Sequence, residues 1–290
     1  MNILITGVGG PAGKALVQQL AITGHSVVGV DMQEVSLTNL DAFELVPAAD
    51  NPMMIEQLSK LVDHYSIELV IPTVADELLL VSRAANQGLF APAKVVIAKP
   101  EPVETCFDKY LTMTALQNAG ISVPPFGLPG DFETAEDAFD ALGQTIISKP
   151  RVARGGRGFK VHHSPDTFDL AAFDDSTILQ AFAPGEEYAP MLYLDNNNVG
   201  VETVALVAKV KEEFCETQAP IVSPVDTSTA LDVALLAVRA GRALKLTGPV
   251  DLDVRRLADG RPVILEVNAR FGANSSLAPE ILEHVLEAHL

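Results

Sequence analysis

The sequence predicts an α/β region followed by an α+β region, and three observations carry that prediction. Strand-like and helix-like segments alternate through about the first hundred residues. The stretch that follows opens with a capped helix and then turns strand-rich. Near the C-terminus, Val250-Asp-Leu-Asp-Val254 and Val263-Ile-Leu-Glu-Val-Asn-Ala-Arg270 are joined through the turn Ala258-Asp-Gly-Arg261. Alternating strands and helices argue for a parallel sheet covered on both faces. Two runs joined by an Asp-Gly turn argue for an antiparallel hairpin.

In chain order, Asn2 to Thr6 is an apolar run that feeds the turn Gly7-Val-Gly-Gly-Pro-Ala-Gly13. Lys14 to Thr23 has the spacing of an amphipathic helix, and Ser26 to Val30 is a strand that ends at Asp31. A helix over Pro52 to Tyr65, a buried strand over Leu69 to Pro72, a helix over Asp76 to Gln87 and a strand over Lys94 to Ile97 complete the unit. Lys99-Pro-Glu-Pro102 is read as its boundary. Beyond it, Asp108 can cap a helix from Lys109 to Ala119 that stops at Gly120. Ile121 to Val123 is strand-like, Thr134 to Leu142 helical, and Thr145 to Lys149 a strand. Arg154-Gly-Gly-Arg-Gly158 then forms a loop, and Phe159 to His162 resumes as a strand. The pattern is strand-rich from Thr177, and Thr229 to Lys245 is a long helix before the hairpin.

Composition excludes several classes. The formal charge of −18 and the absence of Trp argue against a nucleic-acid partner, which needs positive charge and stacking surfaces. The longest apolar runs are too short to span a bilayer, and no secretory signal is read at the start. The two cysteines, Cys106 and Cys215, form neither a disulfide framework nor a metal cluster, so both are expected to be buried small hydrophobes in a cytoplasmic protein. The six histidines show no metal-ligand spacing, and His162-His163 reads as a solvated pair.

The hairpin carries the sharpest chemistry. Glu266, Asn268 and Arg270 alternate on one run, so their side chains emerge on one face, and Asp251 and Asp253 do the same on the other. Oxygen donors of this kind suit hard cations, and the guanidinium suits a phosphoryl group. A polar outer face on an edge hairpin would show the same pattern. The strand Ile146-Ile-Ser-Lys-Pro150 followed by three glycines between and beyond two arginines suits phosphate approach. Leu179-Gln-Ala-Phe-Ala-Pro-Gly-Glu-Glu-Tyr188 could flank a flat ring and offer Glu187 to hydroxyls, or be an ordinary strand–turn–strand. The N-terminal glycine turn with Asp31 matches a dinucleotide fingerprint, or simply tightens a strand-to-helix turn. Around Thr73 to Glu77, a strand's C-terminal end could contact an amine through Asp76 or Glu77, or these acids could serve only the following helix.

With these parts in this order, the chain resembles the ATP-grasp superfamily, most closely the branch of carbamoyl-phosphate synthase large subunits and related carboxylate–amine ligases. Ser148-Lys-Pro150 with the glycine loop, Pro184-Gly-Glu-Glu-Tyr188 and Leu265-Glu-Val-Asn-Ala-Arg270 carry the resemblance. It implies a Rossmann-like pre-ATP-grasp domain over 1–100 and an ATP-grasp domain over 101–290. The latter divides into a small lid-bearing subdomain, 101–180, and a metal-binding subdomain, 181–290. It implies ATP and two Mg²⁺ ions, with Mn²⁺ as a substitute. Lys109 and Lys149 would reach phosphates, Gly155, Gly156 and Gly158 would form the lid, and Gln180, Ala181 and Phe182 would line adenine. Glu187 would hold ribose. Asp253, rather than Asp251, with Glu266 and Asn268 would hold the metals, and Arg270 would stabilise the γ-phosphate. Lys149, Glu266 and Arg270 are the catalytic set. Family members often have Glu where this chain has Gln180, and no further C-terminal domain is expected to shape the acceptor site.

The function so implied is an ATP-dependent ligase that makes an acylphosphate for attack by an amine. Its partners would be small carboxylates and amines, amino acids among them, without nucleic acid or membrane, and with a homodimer expected. A binding module without ligase activity is one competing reading. An NAD(P)-dependent oxidoreductase is another, opposed by four tyrosines of which none has a lysine four residues on.

Overall fold

The computed structural model describes residues 1–153, 156–195, 203–210 and 221–290. Apolar alternation builds the first sheet. Its strands are β1 (Asn2–Thr6), β2 (Ser26–Asp31), β3 (Ala42–Leu45), β4 (Leu69–Ile71) and β5 (Lys94–Val95). All pairings are parallel, in the order β3-β2-β1-β4-β5. Helices α1 (Pro11–Leu20), α2 (Met54–His64) and α3 (Leu78–Asn86) cover it. Ile3 and Ile5 pack with Leu16 and Leu20 of α1, whereas Leu4 packs with Leu58 of α2 and Val81 of α3. The period of two therefore sends successive β1 residues to opposite layers. The strand order reverses between β1 and β4, which opens a crevice at their carboxyl ends.

Two helices follow, α4 (Pro100–Phe107) and α5 (Lys109–Asn118). The Pro-rich segment read as a boundary is thus the first turn of α4. Pro100 sits at a helix position where a missing N–H costs nothing, so the prolines start the helix here. Asp108 caps α5 as expected, accepting from the backbone N–H of Tyr110 and Leu111 at 2.9 and 3.2 Å. Ile121 to Val123 is not a strand. A four-stranded antiparallel sheet comes next, in the order β6-β9-β7-β8. Its strands are β6 (Phe126–Gly127), β7 (Ile146–Pro150), β8 (Lys160–His162) and β9 (Thr177–Ala181), and α6 (Ala135–Leu142), capped by Thr134, packs with it. The glycine loop connects β7 to β8, as predicted.

The third sheet is antiparallel, in the order β12-β11-β10-β13-β14. It contains β10 (Glu187–Leu194), β11 (Thr203–Val210), β12 (Ile221–Val225), β13 (Gly248–Arg256) and β14 (Pro262–Asn268). Helix α7 (Leu231–Ala243) covers one face and α8 (Pro279–His289) the other. Leu192 and Leu194 of β10 pack with α7, while Met191 and Tyr193 pack with α8 and with α1 of the first sheet. One continuous core therefore joins the first and third sheets. No helix of the described residues is long and apolar enough to cross a membrane.

Candidate active site

The predicted hairpin is present and sets the geometry of the site. Val250, Leu252 and Val254 point into the core under α7, so Asp251 and Asp253 emerge on the opposite face. Across the ladder Asp253 is opposite Glu266, and Asp251 is opposite Asn268. The register slips after Asp253, with Val254 opposite Ile264, so Leu265 is an extra residue in β14. This bulge changes the phase of the strand. Ile264 and Val267 both face the core, and Glu266 and Asn268 turn out beside the two aspartates. It also places the Leu265 carbonyl where Lys149 Nζ donates to it at 3.3 Å.

A cleft of about 220 Å³ gathers Lys109, Gly156, Asp251, Asp253, Glu266, Asn268 and Arg270. Lys109 is buried, donates to the Ala153 carbonyl at 2.6 Å and lies 3.6 Å from Glu266 Oε1. Arg270 Nη1 donates to Asp251 Oδ2 at 2.8 Å and to the Phe271 carbonyl at 3.0 Å. Burial pushes the Asp251 carboxyl upward, against the pull of Arg270. The chain passes so close here that a Cβ on Gly272 would fall 2.4 Å from that carboxylate. Asp108 anchors the approach to the glycine loop through Arg151, with contacts of 2.7 and 3.1 Å. Burial raises the Asp108 carboxyl, but the guanidinium and the helix amides outweigh it, and the net shift is downward.

Lys209 of β11 also lines the cleft, and sequence reasoning missed it. Its Nζ pairs with Asp253 Oδ1 and lies 3.6 Å from Glu187 Oε1. Burial alone would lower its pKa, yet Asp253, Asp251 and Glu187 reverse that and raise it. Asp253 is correspondingly held below the usual carboxylate range by Lys209, despite its own burial. The available signal was a single lysine closing the otherwise apolar run Val204 to Ala208.

The remaining predicted residues lie outside this cleft. Lys149 donates to Gln180 Oε1 at 3.1 Å, and its pKa is lowered chiefly by burial. Gln180 is buried, with its amide nitrogen 3.4 Å from Met113 Sδ. Ala181 is buried as well, and the Phe182 ring lies under the Arg255 guanidinium, 5.0 Å from it. Glu187 faces Lys209 and, at 3.8 Å, Arg255. Gly158 lies at positive φ near Pro150, and Gly155 falls outside the described residues.

Packing places several of the other residues singled out in the sequence. Cys106 is a buried small hydrophobe whose thiol is pushed up to about 12, and Cys215 falls outside the described residues. His162 departs from the solvated reading. It is half-buried, 2.8 Å from Ser148 Oγ and stacked at 4.4 Å on Phe168, and burial lowers its pKa. The Asp31 carboxylate accepts from the backbone N–H of Gly9 and Gln33, so it holds the N-terminal turn itself. Gly7 is required there by its φ of +60° and by Val74, which a Cβ would meet at 2.4 Å.

The donor set fits hard cations. Among the described residues no three His, Cys, Asp or Glu gather as a preformed metal cluster. Asp253, Glu266 and Asn268 supply two carboxylates and an amide oxygen to one cleft, and the ammonium groups of Lys209 and Lys109 lie against the two carboxylates. Mg²⁺ takes few protein ligands and completes its shell with water and phosphate oxygens, so such a set suffices.

A parallel sheet, a glycine-looped antiparallel sheet and a third sheet bearing acids and lysines together make an α/β region followed by an α+β region. The family model of the ATP-grasp domain matches residues 106–274, and the chain belongs to the ATP-grasp family. Residues 3–95 match the PylC-like N-terminal domain. The chain is 22% identical over 242 residues to the carbamoyl phosphate synthase large chain of Methanothermobacter thermautotrophicus, covering 78% of this chain and 23% of that one. It is 29% identical over 190 residues to the D-alanine–D-alanine ligase of Cupriavidus taiwanensis, covering 59% and 57%. The crystal structure of L-amino acid ligase from Bacillus licheniformis has the same fold, with a TM-score of 0.71 at 18% identity over 95% of this chain and 68% of that one. The chain thus spans about a quarter of the first of these relatives and somewhat over half of the second.

Proposed function

We propose that this protein is an ATP-dependent ligase that activates a carboxylate as an acylphosphate for attack by an amine. The observation that carries this reading is Glu266. It sits across the ladder from Asp253, 3.6 Å from Lys109, in a cleft shared with Asn268 and Arg270. Relatives named as a D-alanine–D-alanine ligase and a carbamoyl phosphate synthase support the class.

On this reading a substrate carboxylate oxygen attacks the γ-phosphorus of ATP. The bond to the β-phosphate oxygen breaks, and ADP leaves. The amine then attacks the acyl carbon, the C–O bond breaks, and inorganic phosphate departs as the amine loses a proton. Asp253, Glu266 and Asn268 would hold Mg²⁺, which when bound supplies charge neutralisation on the phosphates. Lys109, Lys149 and Arg270 contribute positive charge fixed in advance, the arrangement that stabilises developing anions at least reorganisation cost. Lys209 joins this set because its ammonium enters the same cleft. Gly156 and Gly158 belong to the loop that would exclude water from the acylphosphate. Gln180, Ala181 and Phe182 border adenine, and Glu187 the ribose. The division at residues 100 and 180, and a homodimer in solution, accompany this proposal.

Glu266→Gln tests it. ADP release in the presence of magnesium should fall by roughly 10²–10³-fold, the usual cost of removing one preorganised electrostatic group. The far-UV circular dichroism should be unchanged. Turnover at the parent rate would remove Glu266 from the site.

A further inference from the structure

A cavity of about 360 Å³ lies apart from the active-site cleft, beside β5 at the edge of the first sheet. Three basic groups from separate parts of the chain line it. Lys94 belongs to β5, Lys99 precedes α4, and His289 ends α8. No Asp or Glu lines it, although the chain has 38 acids against 20 lysines and arginines. Neither lysine has an ion-pair partner among the described residues. His289 is half-buried, and burial together with Lys94 lowers its pKa. Cations that share a cavity without a counter-charge repel one another. An anion between them relieves that repulsion and raises the imidazole's affinity for a proton.

The kind of anion follows from the donors. All three are compact, and none is the forked guanidinium that matches a planar carboxylate. A phosphoryl group presents three strong acceptor oxygens and takes donors from several directions at once. Phe90, Val95 and Ile97 add apolar wall, which favours a ligand with a hydrocarbon body over inorganic phosphate.

Two helices run between this cavity and the active-site cleft. Helix α3 gives Leu78 to the cleft and Ser82 and Asn86 to the cavity. Helix α4 gives Pro100 to the cavity and Val103 and Phe107 to the cleft. The Ser82 hydroxyl donates to the Ala98 carbonyl at 2.6 Å, and Arg83 pairs with Glu104 at 3.1 Å. Leu78, Val103 and Cys106 share one core cluster. The two helices are therefore one packed unit with a cavity at each end. Lys109, two residues beyond α4, lies in the cleft.

We propose that this cavity binds a small organic phosphate with an apolar body, and that this ligand is an effector of the active-site cleft. Lys94, Lys99 and His289 hold the phosphoryl oxygens, and the hydrocarbon part rests against Phe90, Val95 and Ile97. Binding fixes the first turn of α4 and so biases the position of its other end. The cavity assignment stands apart from the ligase reading, and the effector role requires only that the cleft bind a nucleotide.

The test is calorimetry on the full chain, with the cleft first filled by magnesium and a non-hydrolysable ATP analogue. Phenyl phosphate is the probe, and inorganic phosphate and benzoate are the controls. Phenyl phosphate should bind more tightly than inorganic phosphate, a comparison that needs only the parent protein. The double variant Lys94→Met, Lys99→Met should bind it at least ~10-fold more weakly, the low end for lost hydrogen bonds to a charged group. Both side chains are exposed, so the variant should keep the parent's far-UV circular dichroism. Phenyl phosphate should also change the affinity for the ATP analogue by about fivefold or more, and linkage requires the same factor in the reverse titration. No binding with the cleft filled, or undiminished binding by the double variant, would overturn the site. Lysine-dependent binding of benzoate as tight as that of phenyl phosphate would overturn the phosphate assignment. Binding without any change in nucleotide affinity would overturn the effector role and leave the ligase reading intact. Failure of the ATP analogue itself to bind would sink the ligase reading and the effector role together, while the lysine dependence of phenyl phosphate binding would still decide the cavity.

Discussion

At one end of the site the Lys149 ammonium is enclosed and donates to neutral oxygens, Gln180 Oε1 and the Leu265 carbonyl. At the other end the Lys209 ammonium lies against two carboxylates, Asp253 and Glu187, on the wall of an open cleft. Both lysines are desolvated, yet their pKa values move in opposite directions. Lys149 falls because burial is its largest influence and its hydrogen-bond partners are neutral. Lys209 rises because three acids outweigh the same penalty. A lysine satisfied by neutral protein groups is a charge held in one place. On the proposed function, a lysine paired with Asp253 would be exchangeable, since an incoming cation would take its place on that carboxylate and release it toward an anion.

Removing the exchangeable ammonium should give the largest effect. Lys209→Met leaves Asp253 and Glu187 in the site without that cation, and losing one partner of a buried pair costs about 3–5 kcal/mol. Magnesium should restore much of this loss, so the Tm difference between parent and variant should narrow when the ion is added. A variant as stable as the parent, with no added response to magnesium, would end the exchange argument.

Glu77 sharpens the comparison from the acid side. Asp253 has a lysine and is held low, whereas Glu77 has no such partner and rises from 4.5 to about 7. A carboxyl whose folded pKa is raised contributes stability that is fully present below about pH 4.5 and is lost as pH rises through about 7. The amount is ~3 kcal/mol for a shift of this size. Denaturant melts from pH 4 to 8 should therefore fall with pH in the parent, and this component should disappear in Glu77→Gln. Parallel curves for the two proteins would show that Glu77 is not perturbed.

The smallest effect should come from the neutral end. Gln180→Ala removes one of two acceptors from Lys149 in a buried setting, which costs about 1–3 kcal/mol. Magnesium should leave that loss unchanged. A magnesium-dependent loss at Gln180 would erase the distinction between the two ends.

Much of this was legible in the chain. Asp108 announced its helix through local capping, and the glycine loop between β7 and β8 was marked by its composition. The hairpin bearing Asp251, Asp253, Glu266 and Asn268 followed from two alternating runs and the Asp-Gly turn between them. Other elements carried no local signal that reasoning used. β3 is a short strand at the edge of its sheet, α4 begins within prolines, and α8 was not anticipated.

The sequence by itself determined which residue types meet at each strand end, because periodicity and capping are short-range properties of neighbouring residues. Only the tertiary structure decided how those ends combine. The Leu265 bulge depends on the pairing of β14 with β13, and it sets which face Glu266 takes. Lys209 reaches Asp253 across β10, the strand that lies between theirs. Glu77 becomes a buried acid only when β1 and β4 close around it. Each depends on contacts between residues distant in the chain, and desolvation and Coulomb energy follow those contacts rather than sequence order.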